Sequence, residues 1–113
     1  YKMDISLPLE TLENFLNKIK QLSENEIFSF GHLGDGNIHI NIVSENHQDK
    51  LIDEVYGLLK SHNGSPSAEH GIGQRKKEIW SKFEDYQDKY KLLQTLKKSM
   101  DPKNILSPKV FFE

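Results

Sequence analysis

Cysteine is missing from this sequence, which excludes disulfides and thiolate metal sites and leaves the compartment open. No apolar run approaches the roughly 20 residues that span a bilayer. Neither sign of charge dominates: 15 Lys and Arg stand against 17 Asp and Glu, and the net charge of −2 creates no global field for nucleic acid or an acidic membrane. Internal repeats, low-complexity tracts and linkers are absent, and the start "YKMDISLP" carries neither an initiator Met nor a signal-peptide pattern. It reads as a piece cut from a longer protein. What is present is ordinary for a globular chain: 35% hydrophobic and 28% charged residues over 113 positions, enough for a single domain with a modest core.

The periodicity predicts an order of elements. Residues 1–6 alternate, with Tyr1, Met3 and Ile5 apolar, as in a half-buried strand. Pro8 suits a helix start, and Leu9, Leu12, Phe15, Leu16, Ile19 and Leu22 follow helical spacing. Strands are expected at 26–32 and 38–43, around a glycine-rich turn. Asn46 is placed to cap a second helix with a stripe of Leu51, Ile52, Val55, Leu58 and Leu59, which Asn63-Gly64 stops. A short strand near 65–69 completes β-α-β-β-α-β, the ferredoxin-like split unit of the α+β class: an antiparallel sheet with helices on one face. A C-terminal helix at about 86–100 carries Tyr90, Leu93, Leu96 and Met100, ends at Asp101-Pro102, and leads into an extended apolar tail, "NILSPKVFFE", of the kind that packs on something.

The stretch "GHLGDGNIH" (31–39) brings chemistry into this frame. Asp-Gly is a strong two-residue hairpin signal. With Asp35-Gly36 at the turn, Gly34 faces Asn37, Leu33 faces Ile38, and His32 faces His39. Facing residues have Cβ atoms about 4.5–5.5 Å apart, close enough for two imidazoles to share one divalent metal. Alternation adds Asn41 to the His39 face and sends Ile38, Ile40 and Ile42 to the other. Two incidental histidines on a common turn are the plain alternative.

Residues 67–73, "SAEHGIG", offer a third ligand. Glu69 has a carboxylate for a metal, and His70 has a side chain that titrates near neutrality and so suits a general base. In an extended segment these neighbours point to opposite faces, a limit that Gly71 and Gly73 relax. The plain alternative is a polar lead-in to a helix. The basic run 74–78 reads as a solvated helix face, and Trp80, Phe83 and Tyr86 as packing residues. His47 and His62 fall at helix ends, as solvated groups or dipole partners.

Taken together, "YKMDISLP", "FGHLGDGNIHINIV", "SAEHGIG" and "MDPKNILSPKVF" resemble, in order and spacing, the C-terminal domain of FAD-linked 2-hydroxy-acid oxidases and dehydrogenases. This vanillyl-alcohol-oxidase-like group includes D-lactate dehydrogenase, D-2-hydroxyglutarate dehydrogenase and the flavin subunit of glycolate oxidase. The resemblance spans nearly the whole chain. It implies that His32, His39 and Glu69 are ligands of a divalent metal, commonly zinc. It implies that His70 is the catalytic base, that Asn41 contacts substrate, and that Lys2 binds a substrate carboxylate. It further implies FAD held mainly by an N-terminal domain outside these residues, a small 2-hydroxy acid as substrate, a downstream electron acceptor, and no nucleic acid. A homodimer is compatible with it. The compartment it implies is mitochondrial in a eukaryote, and cytoplasmic or peripheral to the inner membrane in a bacterium. Ser107 stands where the family more usually has asparagine before Pro108. A fragment of this kind is expected to be inactive alone. Two other classes compete: a non-catalytic ferredoxin-like binding or regulatory module, for which the four residues need not converge, and a stand-alone metal-dependent hydrolase.

Overall fold

Ile38, Ile40 and Ile42 occupy alternate positions, so a pleated strand puts all three on one side. In the computed structural model, which describes residues 1–83 and 86–110, these isoleucines are at most 1% exposed and form the spine of the sheet. The elements are β1 (Lys2–Ser6), α1 (Leu9–Leu22), β2 (Ile27–His32), a 3-10 turn (Leu33–Asp35), β3 (Asn37–Ile42), α2 (Gln48–Ser61), α3 (Lys77–Trp80) and α4 (Tyr86–Met100). The chain gathers into two units, Tyr1–Gly71 and Ile72–Glu113.

In the first unit β3 lies between β1 and β2 and is antiparallel to both. The sheet is open and the helices lie on one face, a ferredoxin-like arrangement with additional helices. Met3 and Ile5 of β1 join the three isoleucines, and the helices contribute buried Leu12, Phe15 and Ile19 from α1 and Leu51, Val55 and Leu59 from α2. Each such side chain is worth about 1.5–3 kcal/mol on burial. Pro8 sits just before the first helical residue, and its carbonyl accepts from the Thr11 N–H. Helix α2 starts one residue beyond the expected cap: His47, not Asn46, is at the N-cap, with the Ser44 hydroxyl accepting from its N–H. Asn63, at φ 57°, ends that helix as expected.

The fourth strand is reduced to a bridge. Ser6 and Ser65 exchange backbone hydrogen bonds, and the Ala68 N–H reaches the Asp4 carbonyl. Pro66, between them, has no N–H to continue a ladder. His62 is buried, not solvated: Nδ1 lies 2.7 Å from the Leu58 carbonyl oxygen and the ring meets Phe15 edge-on.

In the second unit α4 spans the expected residues. Leu96 is 47% and Met100 80% exposed, and none of the described residues of this helix is buried. Asp101 anchors the chain after it. Its carboxylate accepts from the N–H groups of Ile105 and Leu106 and from Lys97 Nζ. The Lys97 hydrogen bond does most to hold this carboxyl below the usual range; partial burial opposes it, and the two backbone donors add to the lowering. Ile105 and Leu106 themselves are exposed. The Tyr86 side chain and the tail residues 111–113 lie outside the described residues.

Candidate functional site

The face of the sheet away from the helices is polar, and strand pairing sets its layout. Lys2 pairs with Asn41, Asp4 with His39 and Ser6 with Asn37 across β1 and β3. Phe28 pairs with Asn41, Phe30 with His39 and His32 with Asn37 across β2 and β3. Paired residues share a face, so His32, His39, Asn41 and Lys2 occupy one surface, as the alternation requires.

The register of the histidines is corrected by the structure. His32 faces Asn37, and the partner of His39 is Phe30. The two histidines are therefore diagonal neighbours, about 7–8 Å apart for such a relation. The reason is the turn. A type I′ turn needs φ > 0 at both central residues, but Asp35 is not among the positive-φ residues. The chain instead makes a 3-10 turn and closes with Gly36 at φ 66°, whose N–H donates to the Leu33 carbonyl. Gly36 is held there from outside the hairpin: its carbonyl accepts from the Leu7 N–H, and a Cβ would collide with the Leu7 carbonyl oxygen.

The 65–70 segment runs along β1 and brings Glu69 and His70 to this face. Both N–H groups, of Glu69 and of His70, donate to Asp4 Oδ2, at 2.9 and 3.0 Å. Consecutive donors aimed at one oxygen are incompatible with an extended strand, so the opposite-faces limit does not operate. Asn37 Nδ2 donates to Glu69 Oε1. The rings of His39 and His70 are 6.3 Å apart between centroids, and Phe30 stacks on His39 at 5.2 Å. Lys2, Glu69 and His70 are exposed, and Asn41 is half-buried.

Asp4 was not singled out by its sequence pattern, where it reads as one polar member of an alternating strand. It is 6% exposed. Burial is the largest influence on its carboxyl and raises the pKa, but the Glu69 and His70 N–H groups, with the charges of His70 and His39, together bring it below the ordinary value. Oδ1 lies 3.6 Å from His39 Nδ1 and accepts no hydrogen bond.

Among the described residues, no group of three or more His, Cys, Asp or Glu side chains is gathered closely enough to hold a metal ion. Two imidazoles and a carboxylate are donor types that divalent zinc accepts, and a carboxylate that held a proton on His39 Nδ1 would leave the lone pair on Nε2. Glu69 and His70 meet Asp4 through their N–H groups, His39 faces Asp4 from β3, and His32 lies opposite Asn37, one diagonal step from His39.

The family of FAD linked oxidases, C-terminal domain, matches residues 1–110. The chain belongs to that family. Its similarity to curated members is strong over nearly all its length. A mitochondrial D-2-hydroxyglutarate dehydrogenase of Arabidopsis thaliana is 40% identical over 96% of this chain and 20% of its own length. A D-2-hydroxyglutarate dehydrogenase of Stutzerimonas stutzeri is 32% identical over 99% of this chain and 27% of its own. A putative mitochondrial D-lactate dehydrogenase of Schizosaccharomyces pombe is 35% identical over 96% of this chain and 24% of its own. The chain thus spans about a fifth to a quarter of the length of these relatives.

Proposed function

We propose that this chain is the substrate-binding C-terminal domain of an FAD-dependent dehydrogenase that oxidises a D-2-hydroxy acid to the 2-oxo acid. Membership of the FAD-linked oxidase family supports the reaction type. The observation that carries the reading is the convergence of His39, Glu69 and His70 on one sheet face that also bears Lys2 and Asn41.

Each residue has a chemical task. His70 accepts the proton of the substrate hydroxyl as the α-hydrogen leaves with its electron pair, so that C–H and O–H break and C=O forms. Lys2 and Asn41 hold carboxylate and hydroxyl oxygens of the substrate, Lys2 as a point charge. His32, His39 and Glu69, which are not gathered to ligating distance here, are the donors that would hold a divalent cation, and such a cation would supply Lewis-acid polarisation of the hydroxyl. Flavin, when bound, supplies the two-electron acceptor. Phe28 and Phe30 flank the polar groups with apolar surface on the same face.

Two carboxylates on the substrate would match Lys2 in addition to the polar cluster around His39. Together with the D-2-hydroxyglutarate dehydrogenases among the relatives, this favours a dicarboxylate such as D-2-hydroxyglutarate over D-lactate or glycolate. The names of several relatives support a mitochondrial location in a eukaryote. The test is a panel of D-2-hydroxyglutarate, D-lactate and glycolate on the full-length protein with a dye acceptor, with and without chelator. The proposal expects D-2-hydroxyglutarate to have the highest kcat/KM and chelation to suppress it. Turnover of none of the three acids would overturn it.

A further inference from the structure

Asp4 belongs to none of the roles assigned above, yet Glu69, His70 and His39 all meet at its carboxylate. It sits on β1 directly opposite His39. One oxygen, Oδ2, accepts the N–H groups of both Glu69 and His70. The other, Oδ1, is buried, accepts no hydrogen bond, and lies 3.6 Å from His39 Nδ1. A buried carboxylate oxygen without a donor is costly, and the atom within reach that can carry a proton toward it is that imidazole nitrogen. A small ring adjustment turns the 3.6 Å approach into a charge-assisted hydrogen bond.

We infer that Asp4 is a positioning residue that fixes the tautomer of His39 with one oxygen and the backbone of Glu69 and His70 with the other. A proton on Nδ1 leaves the lone pair on Nε2, away from Asp4 and free for a ligand. The same carboxylate sets where the Glu69 and His70 side chains leave the main chain. One buried group therefore couples a strand histidine to residues on a separate segment, more than 60 positions away from it in sequence. The inference rests on the proposed role of His39, Glu69 and His70.

The test uses full-length protein labelled with 15N-histidine, in the wild type and in Asp4→Asn, with His39→Gln to assign the His39 resonances. It is recorded about two pH units above the ordinary histidine pKa, so that the ring is neutral. In the variant the amide oxygen can keep the Glu69 and His70 donors while its NH2 faces His39, which favours a proton on Nε2. The expected result is Nδ1–H in the wild type, a shift toward Nε2–H in Asp4→Asn, and a 10- to 100-fold slower reduction of flavin by substrate, in the range typical of lost outer-shell partners. An Nε2–H tautomer in the wild type, or an unchanged tautomer in the variant, would overturn the inference. Should Asp4→Asn not fold, the wild-type tautomer decides alone. Failure of the underlying reading is separable: His39→Gln with unimpaired turnover would remove His39 from the site whatever its tautomer.

Discussion

Phe30 lies flat against His39, with ring centroids 5.2 Å apart and planes inclined by 30°. The pair follows from strand register, because the two residues are directly opposed across β2 and β3. Phe30 is 58% exposed, so one side of its ring supports the imidazole and the rest faces outward over the polar surface. Ring pairs of this kind contribute about 0.5–1.5 kcal/mol beyond area burial. Phe30→Leu keeps an apolar side chain and loses the stack. The expected cost in the full-length protein is about 0.5–1.5 kcal/mol of folding stability, seen as a lower Tm, with a loss in kcat/KM no larger than the same energy, about 2- to 13-fold. Steady-state kinetics with D-2-hydroxyglutarate, beside a thermal melt, checks both halves.

Gly36 is a position where the backbone itself is the constraint. It combines φ 66° with a close approach to the Leu7 carbonyl. Gly36→Ala is expected to destabilise the domain by more than about 1 kcal/mol, since the left-handed conformation alone costs about 1–2 kcal/mol for a residue with Cβ. Gly34→Ala, where an added Cβ meets nothing within 4 Å, serves as the control and should be close to neutral. Urea titration of both variants makes the comparison.

The sequence already shows the two faces of the sheet. Alternation alone separated Ile38, Ile40 and Ile42 from His39 and Asn41, and the helical stripes located α1 and α2, because burial imposes those periods locally. Register was not legible in the same way. Asp35-Gly36 signals a two-residue turn, and only the tertiary contact of Gly36 with Leu7 shows why the loop takes four residues and moves His32 opposite Asn37. The role of Asp4 is illegible in the sequence for a related reason. A polar residue between Met3 and Ile5 looks solvated until a segment from more than 60 residues away is laid over it. Two adjacent polar residues with glycines after them, Glu69-His70 and Gly71, were the available hint that something crosses there.

Asn37 is buried and donates to Glu69. Asn37→Ala removes the donor and leaves the Glu69 carboxylate to solvent. A hydrogen bond to a charged group is worth about 1.5–3 kcal/mol, and the exposure of Glu69 puts the expected loss toward the lower end. Asn37→Asp should be worse than Asn37→Ala at neutral pH, because two carboxylates then face each other, and the gap should close as pH falls through the carboxylate range. Denaturant unfolding at pH 7 and pH 4 measures it.

Asp101 makes a prediction for the second unit. Its carboxyl is held below the ordinary aspartate range, chiefly by the hydrogen bond from Lys97. A depressed carboxyl stabilises the folded form fully above the unfolded pKa and loses that contribution as pH falls through the folded one. The Ile105 and Leu106 amides donate to this carboxylate. Their hydrogen-exchange protection should persist at pH 5, decline only below pH of about 4, and be weaker throughout in Asp101→Asn. Unchanged protection down to strong acid would show that another contact holds the segment.

The proton acceptor is the centre of the functional reading, and flavin reduction reports on it without any later step. Full-length protein, mixed anaerobically with D-2-hydroxyglutarate, should bleach its flavin in a single turnover. In His70→Gln the account predicts a rate lower by about 10²- to 10⁴-fold, the range of a lost general base, with substrate affinity changed far less. Flavin reduction at the wild-type rate in His70→Gln would contradict it.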